Sequence, residues 1–147
     1  MRVFFDVNVL MDVLFEREPH ATDSVRAWSL AESKQVEASV SVMSLPLAFY
    51  LMRRAKGANA AWAGVRLIRD VFNLVPTDEQ IIHQALDGSM ADFEDAIQFC
   101  SALRARASIL ITRNQKHFPT REIAVLTPSQ FLDAHFRDST GGTITSE

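Results

Sequence analysis

Residues 1–16 read MRVFFDVNVLMDVLFE, and the order of side chains here decides the fold. Arg2 to Val7 is a short apolar run with a polar stop at Asp6, which predicts a strand. From Asn8 to Glu16 the period changes. Val9, Leu10, Val13 and Leu14 recur at helical spacing, so a helix opens directly behind the strand. Asp6 and Asp12 also interrupt any apolar segment that a signal peptide would need. The stretch reads as mature structure, and the expected compartment is the cytoplasm.

Working outward, the same alternation repeats. Ala21 to Ser33 predicts a helix and Val36 to Met43, rich in Val and Ser, a strand. Ser44 is placed to cap a helix running to about Lys56, with Pro46 tolerated in its first turn. Gly57 closes that helix and Asn59 caps the next. Phe72 to Val75 is a strand ended by Pro76, and Thr77 caps EQIIHQALD. Asp92 caps FEDAIQFCSALRARA, Ser108 to Thr112 is the most strand-like segment, and Ile123 to Leu126 is a last short strand before SQFLDAHF. Strands that alternate with helices throughout predict an α/β fold. The expected form is a single three-layer domain over residues 1–136, with a central, mostly parallel sheet of about four to five strands and helices on both faces. Residues 137–147 carry almost no apolar content and predict a disordered tail.

Composition bounds the function. The chain has 147 residues, 48% of them hydrophobic and 22% charged, which excludes global disorder and fits one globular core. No apolar run approaches the roughly 18 residues that span a bilayer, so no membrane role is expected. The single cysteine, Cys100, excludes an internal disulfide and a Cys-based zinc site. A net charge of −3 leaves no basic coat, so any nucleic acid must be held by local patches.

In open parallel sheets, ligands lie beyond the carboxyl ends of the strands. Three polar groups stand there. Asp6 ends the first strand, with Asn8 two residues on; either one alone is also a plausible helix cap. Asp92 and Asp95, three apart in a first helical turn, can share a face, although acids there also serve the helix N-terminus. Glu94 is expected to point elsewhere, into solvent. Thr112, Arg113 and Asn114 follow the SILIT strand, where Asn also favours a turn for its own reasons. If the strands of Asp6 and Thr112 are neighbours, these groups converge. Converging carboxylates need a counter-charge, and hard oxygen donors fit Mg²⁺ or Mn²⁺. The chemistry to expect is metal-assisted hydrolysis of a phosphate ester.

Three pieces of the chain, FFDVNVLMDVL, MADFEDAIQFCSALRARA and ILITRNQKHF, in this order and spacing, resemble the PIN-domain ribonucleases, the fold of VapC-type toxins in bacterial toxin–antitoxin pairs. The resemblance implies a metal-dependent endoribonuclease with an RNA substrate, an antitoxin partner and a homodimer. It makes Asp6 the first metal-binding carboxylate and Asn8 its supporting neighbour. Asp95 becomes the main acid of a later position, with Asp92 assisting. Thr112 and Asn114 match the last position, where many relatives carry Asp. The implied catalytic set is Asp6, Asp95, Asp92 and Asn114, with metal at Asp6, Asp95 and Asp92 and Thr112 in support. One departure is larger. The family's usual Glu in the helix after the second strand is missing, and its place falls at or near Leu47 in SLPLAFYLMRR. That loss keeps a second reading open: a PIN-like module that binds RNA or a protein with little or no hydrolysis.

The remaining residues are weighed against plainer roles. Arg113 and Lys116 are candidates for holding a substrate phosphate, or are solvated loop charges. Arg53, Arg54 and Lys56 suit a helix C-terminus as well as an RNA strand. Trp28, Trp62, Phe49 and Tyr50 are core aromatics, or in part a dimer or antitoxin face. His20, His83 and His117 show no metal-ligand spacing and read as structural or solvated. Asp6-Val7-Asn8 faintly matches aspartyl-phosphate enzymes, whose second Asp is absent here.

Overall fold

The computed structural model describes residues 1–137. Five strands form one sheet: β1 (Arg2–Phe5), β2 (Glu37–Ser41), β3 (Asn73–Val75), β4 (Ile109–Ile111) and β5 (Ala124–Leu126). The order across the sheet is β3-β2-β1-β4-β5 and every pairing is parallel. The expected α/β architecture is therefore present, with the sheet wholly rather than mostly parallel. Parallel neighbours need long crossovers, and the helices supply them. They are α1 (Val7–Leu14), α2 (Ala21–Glu32), α3 (Ser44–Lys56), α4 (Ala58–Val71), α5 (Glu79–Asp87), α6 (Phe93–Arg104) and α7 (Pro128–Leu132), the last continued by a π-helical turn at Asp133–Arg137. The tail expected at 137–147 lies, from residue 138 onward, outside the described residues.

The central strand β1 shows how the sequence builds two cores. Successive strand side chains point to opposite faces. Val3 and Phe5 pack with Leu10, Trp28, Met52, Ile68 and Phe131, under α1–α4 and α7. Phe4, between them, packs on the other face with Ile81, Ala96, Phe99 and Leu110, under α5 and α6. All three residues are fully buried. A strand covered on both faces reads as continuous apolar sequence, which is why RVFF shows no alternation.

Three helix boundaries differ from expectation. Ser44, expected to cap α3, is its first residue, and Met43 holds the N-cap position. Asp78, not Thr77, caps α5, its Oδ1 accepting from the Ile81 N–H at 3.0 Å. Thr77 instead faces Ser41, hydroxyl to hydroxyl, at 3.4 Å. Between α3 and α4 there is a single residue, Gly57, at φ 92°, a conformation L side chains rarely adopt. Asn59 falls inside α4 rather than capping it.

β1 is the strand where the order turns. Chain that continues β1 on one side builds β2 and β3, and the later half builds β4 and β5 on the other. Such a reversal leaves a crevice at the carboxyl ends of the two adjacent strands. Here those ends belong to β1 and β4, in register through Phe5 and Ile111. The next residues are Asp6 and Thr112.

Candidate metal centre

Asp6 sits at the junction of β1 and α1 and is 3% exposed. It occupies the N-cap position of α1, yet its side chain makes no capping bond. Its tie to the helix is the Val7 N–H, which helps to lower its pKa. Oδ2 instead accepts a 2.7 Å hydrogen bond from the Thr112 hydroxyl. Thr112 is fully buried and its backbone is fixed by Thr112 N–H to Leu126 carbonyl, at 2.9 Å. Asn8 braces the same group, its Nδ2 donating to Thr112 Oγ1 at 3.3 Å and its Oδ1 accepting from the Arg113 N–H at 3.4 Å. The Asn114 N–H also donates to Thr112 Oγ1, at 3.0 Å. Asp6, Asn8 and Thr112 thus meet, as expected. Asn114 joins them through its backbone, and its residue is otherwise exposed.

The α6 N-terminus faces this crevice. Asp92 caps the helix, its Oδ1 accepting from the Asp95 N–H at 2.9 Å. The capping role therefore applies to Asp92 and leaves Asp95 free of it. Asp95 Oδ2 lies 3.2 Å from His117 Nδ1. His117 stands on a short 3₁₀ turn, Gln115–His117, behind the β4 end. The ring is half exposed, as a solvated histidine is, and it has in Asp95 a partner that spacing did not reveal. Lys116, on the same turn, is exposed.

The electrostatics tie the two groups together. Burial pushes the Asp6 carboxyl up to about 6, opposed by the Thr112 hydrogen bond and reinforced by the negative charges of Asp95 and Glu94. Asp95 is also raised, by burial and by Asp92, with His117 pulling the other way. Glu94 is raised by burial, Asp92 and Asp95. Glu94 is exposed, as expected, but its charge reaches Asp6, so it belongs to this acidic group rather than to an unrelated helix face.

Arg113 does not supply the missing positive charge. Its Nε is directed at Asp12 Oδ2, and Arg17 Nε lies 3.5 Å from Asp12 Oδ1. Asp12 is fully buried on α1. Both of its oxygens and Arg113 Nε are buried without an aligned hydrogen bond, so charge and packing hold the contact. Arg113 is thereby an internal counter-ion of Asp12. Asp12 is the residue sequence reasoning left without a role. The signal was available: one carboxylate inside VNVLMDVL is costly unless paired.

The sheet-distal wall of the crevice comes from α3. Gln98 of α6, 2% exposed, donates from Nε2 to Ser44 Oγ at 3.2 Å and so fixes the start of α3 against α6. Leu47 then lines the same hollow as Glu94 and Gln98. The position expected for a further acid is apolar, and Glu94 is the acid that shares its hollow.

Residues 2–116 match the profile of the PIN domain. The chain belongs to the PIN domain family. This PIN domain is 22% identical to Ribonuclease VapC1 of Aquifex aeolicus over 137 residues, covering 90% of this chain and 94% of the relative. Its fold is shared with VapBC-1 of nontypeable Haemophilus influenzae at 17% identity and a TM-score of 0.65, covering 88% of this chain and 99% of that one. A toxin–antitoxin complex from Klebsiella pneumoniae gives 23% identity and a TM-score of 0.64, covering 86% and 97%. The sarcin–ricin-loop-cleaving toxin VapC20 of Mycobacterium tuberculosis gives 18% and 0.60, covering 74% and 86%.

The side chains of this PIN domain that offer oxygens to a cation are Asp6, Asp95 and Glu94, with Asp92 next to them and the His117 imidazole beside Asp95. Among the described residues, no three His, Cys, Asp or Glu side chains are gathered tightly enough to enclose an ion unaided. The donor set nonetheless fits a hard divalent ion. It is oxygen-rich, it carries mutual repulsion, and Arg113, next to Thr112, is engaged with Asp12. An ion that keeps several waters needs only one or two carboxylates from the protein.

Proposed function

We propose that this PIN domain is a divalent-metal-dependent endoribonuclease that acts in the cytoplasm as the toxin of a toxin–antitoxin pair. The observation that carries the reading is Asp6. It is a buried carboxylate, held by Thr112 at the crevice of the sheet, acted on by further acids and, among the described residues, without an ion pair to a basic side chain.

In this reading Asp6, Asp95 and Asp92 hold Mg²⁺ or Mn²⁺, with Glu94 adding charge at the rim. Bound there, the ion supplies neutralisation of a phosphodiester and an acidified water. Thr112 holds Asp6 through Oδ2, and Asn8 braces Thr112 and the Arg113 N–H behind it. Asn114 completes the catalytic set at the end of β4, and Lys116 contacts a substrate phosphate. The antitoxin partner is supported by the K. pneumoniae relative, a toxin–antitoxin complex. Exposed Tyr50 and Trp62, on α3 and α4, supply surface for that partner or for a second copy.

The test is cleavage of RNA in Mg²⁺ or Mn²⁺ by the wild type, Asp6→Asn and Asp95→Asn. Activity is expected only in the wild type. Equal cleavage by all three overturns the assignment. The apolar Leu47 favours a second reading, in which the domain binds RNA or an antitoxin without appreciable hydrolysis. Binding of either partner with no measurable uptake of Mn²⁺ selects that reading.

A further inference from the structure

The segment behind β4, from Thr112 to His117, reaches both carboxylates of the crevice. At one end the Thr112 hydroxyl holds Asp6 Oδ2 at 2.7 Å. At the other, His117 Nδ1 stands 3.2 Å from Asp95 Oδ2. Asp95 takes from His117 both a hydrogen bond and an opposing charge. Among the described residues, His117 is the one side chain paired with that carboxylate.

The segment is anchored at several points. The Asn114 N–H donates to Thr112 Oγ1, and the His117 N–H to the Asn114 carbonyl, each at 3.0 Å. Gln115 ties the turn to β5 and α7, its Nε2 donating to the Val125 carbonyl at 3.0 Å and to Gln130 Oε1 at 2.6 Å. Phe118, next in the chain, is 5% exposed and belongs to the same core cluster as Ala96, the neighbour of Asp95 on α6. His117 is therefore carried on fixed backbone although its ring is half exposed. A residue held in this way can order a second side chain without being buried itself.

Asp95 needs that ordering. Its N–H is held by Asp92 Oδ1 at 2.9 Å, which fixes its backbone and leaves the carboxylate to turn. Asp92 repels this carboxylate, and Asp95 acts on Asp6 as a like charge. Repulsion favours rotamers that part the acids, whereas a shared ion needs them together. A partner on one carboxylate oxygen opposes the repulsion and leaves the other oxygen for a ligand.

We infer that His117 is a positioning residue, which through Nδ1 holds Asp95 ready for a divalent ion shared with Asp6, as Thr112 holds Asp6 itself. The inference rests on the metal reading above and concerns how the site is set rather than what it cleaves.

The experiment is Mn²⁺ binding to the full chain by calorimetry, with no RNA present, so cleavage is not the readout. His117→Ala is expected to weaken binding about tenfold, as the loss of a ligand's supporting partner does. In His117→Asn the amide lies where Nδ1 does, and binding is expected to return to within about threefold of the wild type. In His117→Gln the amide lies where Nε2 does, and binding is expected to stay as weak as in His117→Ala. Thermal unfolding in EDTA reads folding separately. There His117→Ala is expected to follow the wild type closely, because an exposed ion pair adds little to stability. Wild-type affinity in His117→Ala, or an Asn variant no better than the Gln variant, overturns the role of Nδ1 and leaves the metal reading standing. No Mn²⁺ uptake by the wild type removes both.

Discussion

The Thr112 hydroxyl donates a 2.7 Å hydrogen bond to Asp6 Oδ2, joining the carboxyl ends of two neighbouring parallel strands. This bond lowers the Asp6 pKa against the larger upward push of burial. Thr112→Val keeps the shape and removes the donor. The carboxyl is then expected to titrate above its present value of about 6. Leaving a buried acceptor unsatisfied costs about 1–3 kcal/mol. An NMR titration of Asp6 and urea unfolding check the two effects, and an unmoved midpoint would show that the bond does not govern the carboxyl.

The raised Asp6 pKa fixes the sign of a pH effect. An unfolded Asp titrates near 3.8 and the folded one near 6. Between those values the folded chain binds more protons, so this group's contribution to stability falls as pH rises from about 4 through about 6. Asp6→Asn removes the ionisation and keeps an acceptor for Thr112. It is expected to raise metal-free stability at pH 7 by about 1–3 kcal/mol and to flatten the profile between pH 4 and 7. Thermal unfolding across that range is the measurement. A less stable Asp6→Asn at pH 7 contradicts the expectation.

A cation bound at Asp6 stabilises only the folded chain. Saturating Mn²⁺ at a hundred times its Kd is expected to add about 2.7 kcal/mol to wild-type stability and far less to Asp6→Asn or Asp95→Asn. Equal shifts in all three proteins place the ion elsewhere.

Leu47 lines the hollow with Glu94, so an acid there sets a second carboxylate beside it. Leu47→Glu is expected to tighten Mn²⁺ binding about tenfold by calorimetry, through one added carboxylate ligand. Unchanged affinity means that position 47 does not reach the ion.

Asp12 and Arg113 form the internal ion pair of the β4 turn. Arg113→Met leaves Asp12 fully buried with only the half-exposed Arg17. Breaking such a pair costs about 3–5 kcal/mol, and Asp12→Leu with Arg113→Met is expected to recover part of it. Denaturant unfolding of both singles and the double measures this, and simple additivity would show that the two charges are not coupled.

Much of the crevice was legible because strand-end polarity is local information. Asp6 after RVFF and Thr112 after ILI each interrupt an apolar run, and a parallel sheet places such interruptions on one edge. Asp95 was legible from its spacing to Asp92 in the first turn of α6. His117 was not. Its approach to Asp95 depends on the 3₁₀ turn at Gln115–His117, and a turn of three residues leaves no periodicity to read. Glu94 is exposed as its helical position implied, and spacing, which gives a direction from the helix axis, does not give the effect of its charge on Asp6. Arg113 looked like a substrate ligand because sequence does not reveal that Asp12 is buried beneath it. Thr77 and Asp78 are both good caps, and a one-residue choice between them falls to tertiary contacts, here Ser41 for one and Arg104 for the other.

Asp6 and Thr112 are 106 positions apart in the chain. One follows the first strand in sequence and the other the fourth, so a fragment that stops short of β4 holds the first carboxylate without the strand that orients it.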